Sequence, residues 1–120
     1  MIDKEDNKNK DLYKIAVVGN SLLIKSMRLV GIKHAYDVTD ESADNIEKII
    51  QEVVLNNEIG IVVVNEGIVE KIANKRLVYL IDSSLKPIFI EIPDYNKPEQ
   101  YTDVLKRLII RAIGIDISKK

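Results

Sequence analysis

The first residues that could take part in chemistry lie where an apolar strand ends. Residues 15–18 are continuously apolar, and Gly19 follows them directly before a predicted helix over residues 21–30. A dinucleotide-binding turn in this setting needs three glycines, for the tight turn, the approach of the pyrophosphate and the packing of the helix. Only the first of these three glycines is present, as Gly19. The positions of the second and third are occupied by residues with side chains, in a segment that begins with Asn20 and Ser21. A lysine loop that cradles phosphate is also missing. Gly19 is therefore expected simply to turn the chain, and a nucleotide-binding enzyme or regulator stays a minor alternative.

The histidine and the acidic residues provide few further candidates for catalysis or metal binding. His34 is the only histidine and stands in a polar stretch, which favours a surface loop position. Asp40, Glu41 and Asp44 crowd a helix start, where the helix dipole stabilises negative charge, and this explanation is preferred to a metal site. Glu91 lies in the fourth predicted strand and is expected at its outer end, facing water or a second protein. No nucleophile, base and acid can be combined, so we expect no enzyme activity, no cofactor and no bound metal.

The composition limits the remaining classes of protein. With 120 residues, the chain is long enough for one compact domain and too short for two. The formal net charge of -1 provides no field that would attract nucleic acid or anionic lipid. There is no cysteine, which excludes disulfides and zinc-thiolate sites and fits a reducing, cytoplasmic compartment. No apolar segment is long enough to span a membrane, and the charged N-terminus is unlike a signal peptide.

Strand and helix patterns alternate along the chain. A strand that is apolar throughout is covered on both faces, which is typical of a parallel sheet in an α/β domain. Residues 77–81 favour a strand locally, but we assign them to a helix because a parallel crossover is usually helical. Asn20 or Ser21 is expected to cap the first helix, and Asn65 to cap the third. The predicted strands are residues 14–19, 35–38, 59–64 and 88–92, and the predicted helices are residues 21–30, 43–55, 66–74 with a second piece at 77–81, and 99–113.

The ends of the chain are predicted to behave differently from the α/β domain at residues 13–93. Residues 1–12 are charged and are expected to be disordered, with a docking arm as a minor alternative. Residues 94–98 form a proline hinge linker, and a C-terminal amphipathic helix at 99–114 precedes a tail at 115–120. This helix must dock on its own sheet or on a partner, since a lone helix of this length is marginal in water. Ile110 lies opposite the apolar stripe and modestly favours a partner. The stripe comprises Tyr101, Val104, Leu105, Leu108, Ile109, Ala112 and Ile113.

The alternation of strands and helices also resembles a receiver domain of two-component signalling. Such a domain needs a phosphoacceptor aspartate at the end of its third strand and acidic Mg²⁺ ligands after its first. This chain has Asn65 at the phosphoacceptor position, and it has Gly19 and Asn20 at the positions of the Mg²⁺ ligands. An amide is no phosphate nucleophile and a poor substitute for a carboxylate at a hard metal. A receiver-like module for signalling or protein interaction, without the aspartate, is the runner-up hypothesis.

Five segments taken together resemble the F subunit of the A/V-type rotary ATPases. They are KIAVVG at 14–19, RLVGI at 28–32, IGIVVVNE at 59–66, PIFIEIP at 87–93 and RAIGI at 111–115. The resemblance covers nearly everything from residue 14 to residue 117. The family usually begins at the first strand, whereas this chain carries a dozen mostly charged residues before it.

The resemblance implies a non-catalytic subunit of the central stalk of an A-type or V-type ATPase. Such a subunit binds the coiled coil of the D subunit, turns with it, and couples ATP synthesis or hydrolysis in the A/B head to proton or sodium transport. It implies a four-stranded parallel sheet in the order 2-1-3-4 with helices on both faces. It also implies a cytoplasmic location at the periphery of the membrane. Neither insertion into the membrane nor binding of nucleic acid is expected. The hinged last helix can extend toward the head. Its candidate partner contacts are Leu105, Leu108, Ile109, Ile110, Arg111 and Ile113.

Overall fold

The computed structural model describes residues 14–113, with side chains as far as residue 107. The predicted disordered tail at residues 1–12 and the tail at 115–120 lie outside the described residues. The described chain forms four strands and five helices. In chain order they are β1 (Lys14–Gly19), α1 (Ser21–Leu29), β2 (His34–Asp37), α2 (Ala43–Leu55), β3 (Ile59–Asn65), α3 (Glu66–Glu70), α4 (Lys75–Ser83), β4 (Ile88–Ile92) and α5 (Pro98–Ile113).

The four strands form one parallel sheet in the order β2-β1-β3-β4. Strand β1 pairs with β2 on one side and with β3 on the other, so that Val17 lies beside Ala35 and Val63. Strand β4 completes the sheet beside β3, with Val63 paired to Ile90. The predicted fold class and strand order are confirmed.

The sheet carries a separate hydrophobic core on each face, because successive side chains of a strand point to opposite sides. Ala16 and Val18 of β1 pack with α2, α3 and α4 on one face. Val17, which lies between them, packs with α1 and α5 on the other face. Strand β3 divides its side chains in the same way. This two-sided burial explains why the central strands are apolar throughout.

Local signals fix several helix ends. The side chain of Asn20 accepts a 3.0 Å hydrogen bond from the Leu23 backbone N–H and so caps α1. Ser42 caps α2 by the same interaction with the backbone N–H of Asn45, at 3.2 Å. Gly31 follows α1 with φ of +95°, a left-handed conformation that glycine adopts without steric cost.

The sequence predicts a continuous helix over residues 66–74, directly after β3, but the helix in the structure is shorter. Helix α3 ends at Glu70, and the prediction over residues 66–74 was wrong in its last turn. The side chain of Glu47 accepts hydrogen bonds from the backbone N–H groups of Ala73 and Asn74 at 3.1 and 3.3 Å. These amides are thus satisfied outside a helix. Asn74 then caps α4, which contains residues 77–81, so the helical assignment of that ambiguous segment is confirmed.

Strand β2 begins one residue earlier than predicted and ends one residue earlier. His34 is its first residue and is half-buried, so the expectation of a surface loop histidine was wrong. Val38 lies beyond the end of the strand but is fully buried, and its N–H donates a 2.9 Å bond to the Gly19 carbonyl.

At the start of α5, Pro98 occupies the first helical position, where a missing N–H costs nothing.

Candidate functional site

The natural ligand position in this fold lies at the carboxyl ends of β1 and β3. The strand order reverses there, because the connections from β1 lead first to β2 and then back across to β3, and open α/β sheets bind ligands in the crevice that results. The residues at that point are Gly19 at the end of β1, Asn20 directly after it, and Asn65 at the end of β3. The side chains that line this point decide what the domain can bind.

The side chain of Asn65 fills this crevice and is completely buried. Its Oδ1 accepts a 2.8 Å hydrogen bond from the backbone N–H of Asn20. Its Nδ2 donates a 2.8 Å hydrogen bond to the phenolic oxygen of Tyr101 in α5. Since a backbone N–H can only donate, it fixes which end of the carboxamide faces β1. Asn65 occupies the N-cap position of α3, as predicted, but its side chain makes no capping hydrogen bond there.

Gly19 is explained by the position of Asn65. A Cβ atom added at Gly19 would collide with Oδ1 of Asn65 and would lie 2.6 Å from Cδ2 of Leu23. Among the described residues Gly31 is the glycine with positive φ, and Gly19 is not. Gly19 therefore makes room for the Asn65 side chain, and its interpretation as a residue that simply turns the chain was wrong.

The N–H groups at the start of α1 are already bonded within the protein. The Asn20 N–H donates to Asn65, and the Ser21 N–H donates to Thr39 Oγ1 at 2.8 Å. These are the donors that would face a phosphate in a nucleotide-binding turn. A receiver-like reaction would need an accessible carboxylate at the end of β3, and a buried amide stands there. The geometry of this crevice therefore favours neither nucleotide binding nor a receiver-type phosphorylation.

A second polar group ties the end of β2 to the start of α1. Asp37 accepts hydrogen bonds from the hydroxyls of Thr39 and Ser21, both at 2.7 Å. The hydrogen bond from the Thr39 hydroxyl is the main cause that holds the pKa of Asp37 below its ordinary value. Burial acts in the opposite direction, and the bond from the Ser21 hydroxyl adds to the lowering. The carboxylate therefore stays ionised and joins the two loops.

The linker between β4 and α5 is attached to the same edge of the sheet. The Tyr95 N–H donates a 2.9 Å hydrogen bond to the phenolic oxygen of Tyr101. The two tyrosine rings meet edge to face, with centroids 5.0 Å apart and an interplanar angle of 69°. The carboxylate of Asp94 lies against Gly67 in α3. The linker thus contacts both α3 and α5.

Helix α5 packs on the sheet and on α1 through two fully buried side chains, Tyr101 and Leu105. Burying this pair stabilises the docked helix by about 3–6 kcal/mol. Ser26 of α1 is also fully buried, and its hydroxyl lies 3.5 Å from the Pro98 carbonyl, so a small side chain stands where the two helices meet. Leu105 is therefore inaccessible to a partner while α5 is docked. The side chains of the other candidates, Leu108, Ile109, Ile110, Arg111 and Ile113, lie outside the described residues.

The acidic residues of the described part of the chain are the remaining candidates for a metal site. Asp40, Glu41 and Asp44 lie around the start of α2, and the described residues contain no group of three His, Cys, Asp or Glu side chains placed to hold a metal ion. Glu91 is exposed on β4, as expected for a residue facing water. Partial burial, and then the carboxylates of Asp82, Glu66 and Glu70, raise its pKa above the ordinary value.

The sequence did not reveal the part played by Tyr101. Its position in an apolar stripe indicates burial, but nothing in the pattern shows that its hydroxyl meets Asn65. The available signal was an asparagine directly after an apolar strand, since a polar group buried there needs a hydrogen-bonding partner.

The fold and the filled crevice define a class of protein: a doubly wound α/β domain without a nucleotide-binding turn, carrying a terminal helix on one face. The family model for the ATP synthase (F/14-kDa) subunit matches residues 15–109. The chain therefore belongs to the family of the ATP synthase F subunit. Within the part of the chain that the structure describes, no helix is long and apolar enough to cross a membrane.

Curated relatives match over nearly their whole length. The F subunit of the A-type ATP synthase of Methanococcus maripaludis is 35% identical over 105 residues, which cover 87% of this chain and 98% of the relative. The protein of the same name from Methanococcus vannielii is 36% identical over 109 residues, with the same coverage. That from Pyrococcus furiosus is 28% identical over 109 residues, covering 88% and 99%.

Proposed function

We propose that the chain acts as the F subunit of an A-type ATP synthase, a non-catalytic part of the central stalk. The observation that carries this proposal is the likeness to proteins of that name, at 35% identity over 98% of the relative's length. The crevice is consistent with it, because Asn65 and Tyr101 occupy the place where a nucleotide would lie. In this role the chain binds and hydrolyses no nucleotide itself.

The partner in this role is the coiled coil of the D subunit. The chain turns with that rod and helps to couple ATP synthesis or hydrolysis in the A/B head to the movement of protons or sodium ions. It works at the cytoplasmic side of the membrane as a peripheral part of the complex. Binding between folded protein surfaces requires no metal site, and the described residues contain no group of three His, Cys, Asp or Glu side chains placed to hold a metal ion.

Helix α5 serves in this role as a regulatory element that reaches toward the A/B head. The proposed contacts are those of its last turns, at Leu108, Ile109, Ile110, Arg111 and Ile113. Leu105 joins them only if its own turn leaves the sheet, since it is fully buried in the docked helix.

A sizing-column experiment tests the proposal. The chain is mixed with the D subunit of the same source, and we expect the two to elute together as a stable complex. Failure of the full-length chain to co-elute would contradict the stalk role. The same mixture is then run with a chain that ends at Arg107, which retains the buried Tyr101 and Leu105. We expect this shortened chain still to bind the D subunit. In a complex that also contains the A and B subunits, we expect the ATPase rate with the shortened chain to differ from the rate with the full-length chain. An unchanged rate would contradict the regulatory role of the last turns.

A further inference from the structure

We propose that Glu91 prevents strand β4 from pairing with the β4 strand of a second copy of this chain. The proposal goes beyond the role in the ATP synthase, because it concerns how the free chain avoids binding to itself. It gives a task to a carboxylate that neither the crevice at Asn65 nor the docked helix α5 uses.

Strand β4 lies at the edge of the sheet, and its backbone is suited to pairing. Among the described strands its one neighbour is β3, and residues 61–65 pair with residues 88–92 without a shift in register. On its outer side β4 has no strand partner in the described part of the chain. Pro87 and Pro93 stand just outside the strand, so every residue of β4 has an N–H to donate. A regular edge of this kind is a template for another strand.

The side chains of β4 also favour pairing, with one exception. The strand reads Ile-Phe-Ile-Glu-Ile, and β-branched and aromatic residues are enriched in strands. Ile88 at its start is 50% exposed, and Leu85 in the preceding loop is 89% exposed. A second strand at this edge would therefore remove apolar surface from water. The opposite edge strand, β2, is shorter and reads His-Ala-Tyr-Asp, so β4 is the edge more prone to pair with itself.

The sequence of β4 is compatible with a two-fold, antiparallel pair centred on Ile90. In that register Ile88 of one copy faces Ile92 of the other, and Phe89 faces Glu91. The two Glu91 residues then lie diagonally across the axis, about 7–8 Å apart. Each carboxylate would be held against an aromatic ring and near the same charge of the other copy. Glu91 is thus the residue of the strand that opposes the pair.

The surroundings of Glu91 add to this opposition. Partial burial first, and then the charges of Asp82 in α4 and of Glu66 and Glu70 in α3, raise the pKa of Glu91. None of these four carboxylates takes part in an ion pair within the described residues. A pair through β4 would bring two such groups of carboxylates together. The charge of Glu91 lowers the stability of the single chain, and a residue of that kind is often retained for a task other than stability.

The oligomeric state of the full-length chain tests the proposal. Sedimentation is measured over a range of protein concentrations for the natural chain and for Glu91→Val, in which a β-branched residue replaces the carboxylate. We expect the natural chain to be monomeric. We expect Glu91→Val to form a dimer at least about tenfold more tightly than the natural chain, because two cross-strand contacts with Phe89 become apolar.

Glu52→Val is the matched control. Glu52 is exposed on α2, so this variant loses the same charge and gains the same side chain away from the edge of the sheet. We expect it to remain monomeric. A natural chain that dimerises as tightly as Glu91→Val, or a Glu91→Val chain as monomeric as Glu52→Val, would overturn the proposal.

A second variant locates the contact. Adding Ile88→Lys to Glu91→Val places a charge back on the same strand, at a position that is half-exposed, and we expect the monomer to be restored. Amide hydrogen exchange of residues 88–92 in Glu91→Val should slow as the protein concentration rises, because outward N–H groups gain partners in the dimer. Association that Ile88→Lys does not reverse, or that leaves this exchange unchanged, would place the contact elsewhere and overturn the proposal.

These measurements use the chain without any other subunit. Their outcome therefore does not depend on whether the chain binds the D subunit. Failure of the natural chain to bind the D subunit would count against the proposed function alone, while sedimentation still decides the task of Glu91.

Discussion

The carboxamide of Asn65 donates a 2.8 Å hydrogen bond to the phenolic oxygen of Tyr101, and both side chains are completely buried. One residue ends a central strand and the other lies in the C-terminal helix. The bond therefore connects the place where an α/β sheet usually binds ligands to the element proposed to regulate the complex. The same phenolic oxygen accepts the N–H of Tyr95, so it holds the linker as well.

Removing the phenolic oxygen of Tyr101 should destabilise the fold. Tyr101→Phe leaves two donors without an acceptor, the Nδ2 of Asn65 and the N–H of Tyr95. We expect the free energy of unfolding to fall by about 2–4 kcal/mol in a urea titration. Tyr79→Phe serves as the matched control, because Tyr79 is 73% exposed and should tolerate the change. Equal stabilities of the two variants would contradict the role given to the Asn65–Tyr101 bond.

A methyl group at Gly19 should be poorly tolerated. In Gly19→Ala the new Cβ meets Asn65 Oδ1 and lies 2.6 Å from Leu23 Cδ2, and both side chains belong to the packed interior. Overpacking of this kind costs about 1–3 kcal/mol, measured by thermal or urea unfolding.

Gly67→Ala is the control for Gly19→Ala. Its Cβ would meet only the carboxylate of Asp94, an exposed side chain that can move away. Alanine also favours a helix over glycine by up to about 1 kcal/mol, so this variant should be neutral or more stable. If Gly19→Ala were as stable as Gly67→Ala, the close approach of Asn65 to β1 would be wrong.

Shortening Leu105 should reveal whether the middle of α5 is part of the core. Leu105→Ala removes a side chain with no exposed surface, and we expect a loss of about 2–5 kcal/mol in the isolated chain. Leu29→Ala is the control, since Leu29 is 77% exposed at the end of α1. A negligible effect of Leu105→Ala on unfolding would mean that α5 is not docked in solution.

The acidic residue on the edge strand should make stability depend on pH. Burial, followed by Asp82, Glu66 and Glu70, raises the pKa of Glu91 above its ordinary value of 4.5. The folded state therefore binds the proton more tightly than the unfolded state, and stability decreases as the pH rises from 4.5 through the folded pKa.

Glu91→Gln should accordingly be more stable than the natural chain at neutral pH, with a difference that disappears below the ordinary pKa. The gain should stay under about 1 kcal/mol, because the side chain is largely exposed and water screens the charges. Unfolding midpoints measured across the pH range test this, with Glu52→Gln on α2 as a control for the loss of one charge. A gain that is largest in acid would contradict the assigned direction of the pKa shift.

The order of strands and helices followed from the sequence because periodicity depends on short-range spacing. Residues 15–18 and 59–64 are apolar without alternation, and this alone predicted central parallel strands. The segment at residues 77–81 was assigned correctly only by the topological argument that a parallel crossover is helical. Its own side chains favoured the wrong state.

What the sequence could not reveal depends on residues that are distant in the chain. Asn65 and Tyr101 are separated by 36 positions, and only the folded sheet brings them together. The end of α3 depends on Glu47, which lies 26 positions before the amide it binds at Ala73. His34 joined a strand because β1 offered it a pairing position beside Ala16. In each case a tertiary interaction overrides the local pattern.

The ATP hydrolysis rate of an assembly of A, B and D subunits, measured with and without this chain, tests the central claim most directly. Nucleotide binding by the isolated chain is measured alongside by calorimetry. The account predicts that the isolated chain neither binds nor hydrolyses ATP, and that its addition changes the rate of the assembly at a ratio of one chain per D subunit. Hydrolysis or nucleotide binding by the isolated chain, or an assembly whose rate ignores its addition, would contradict the account.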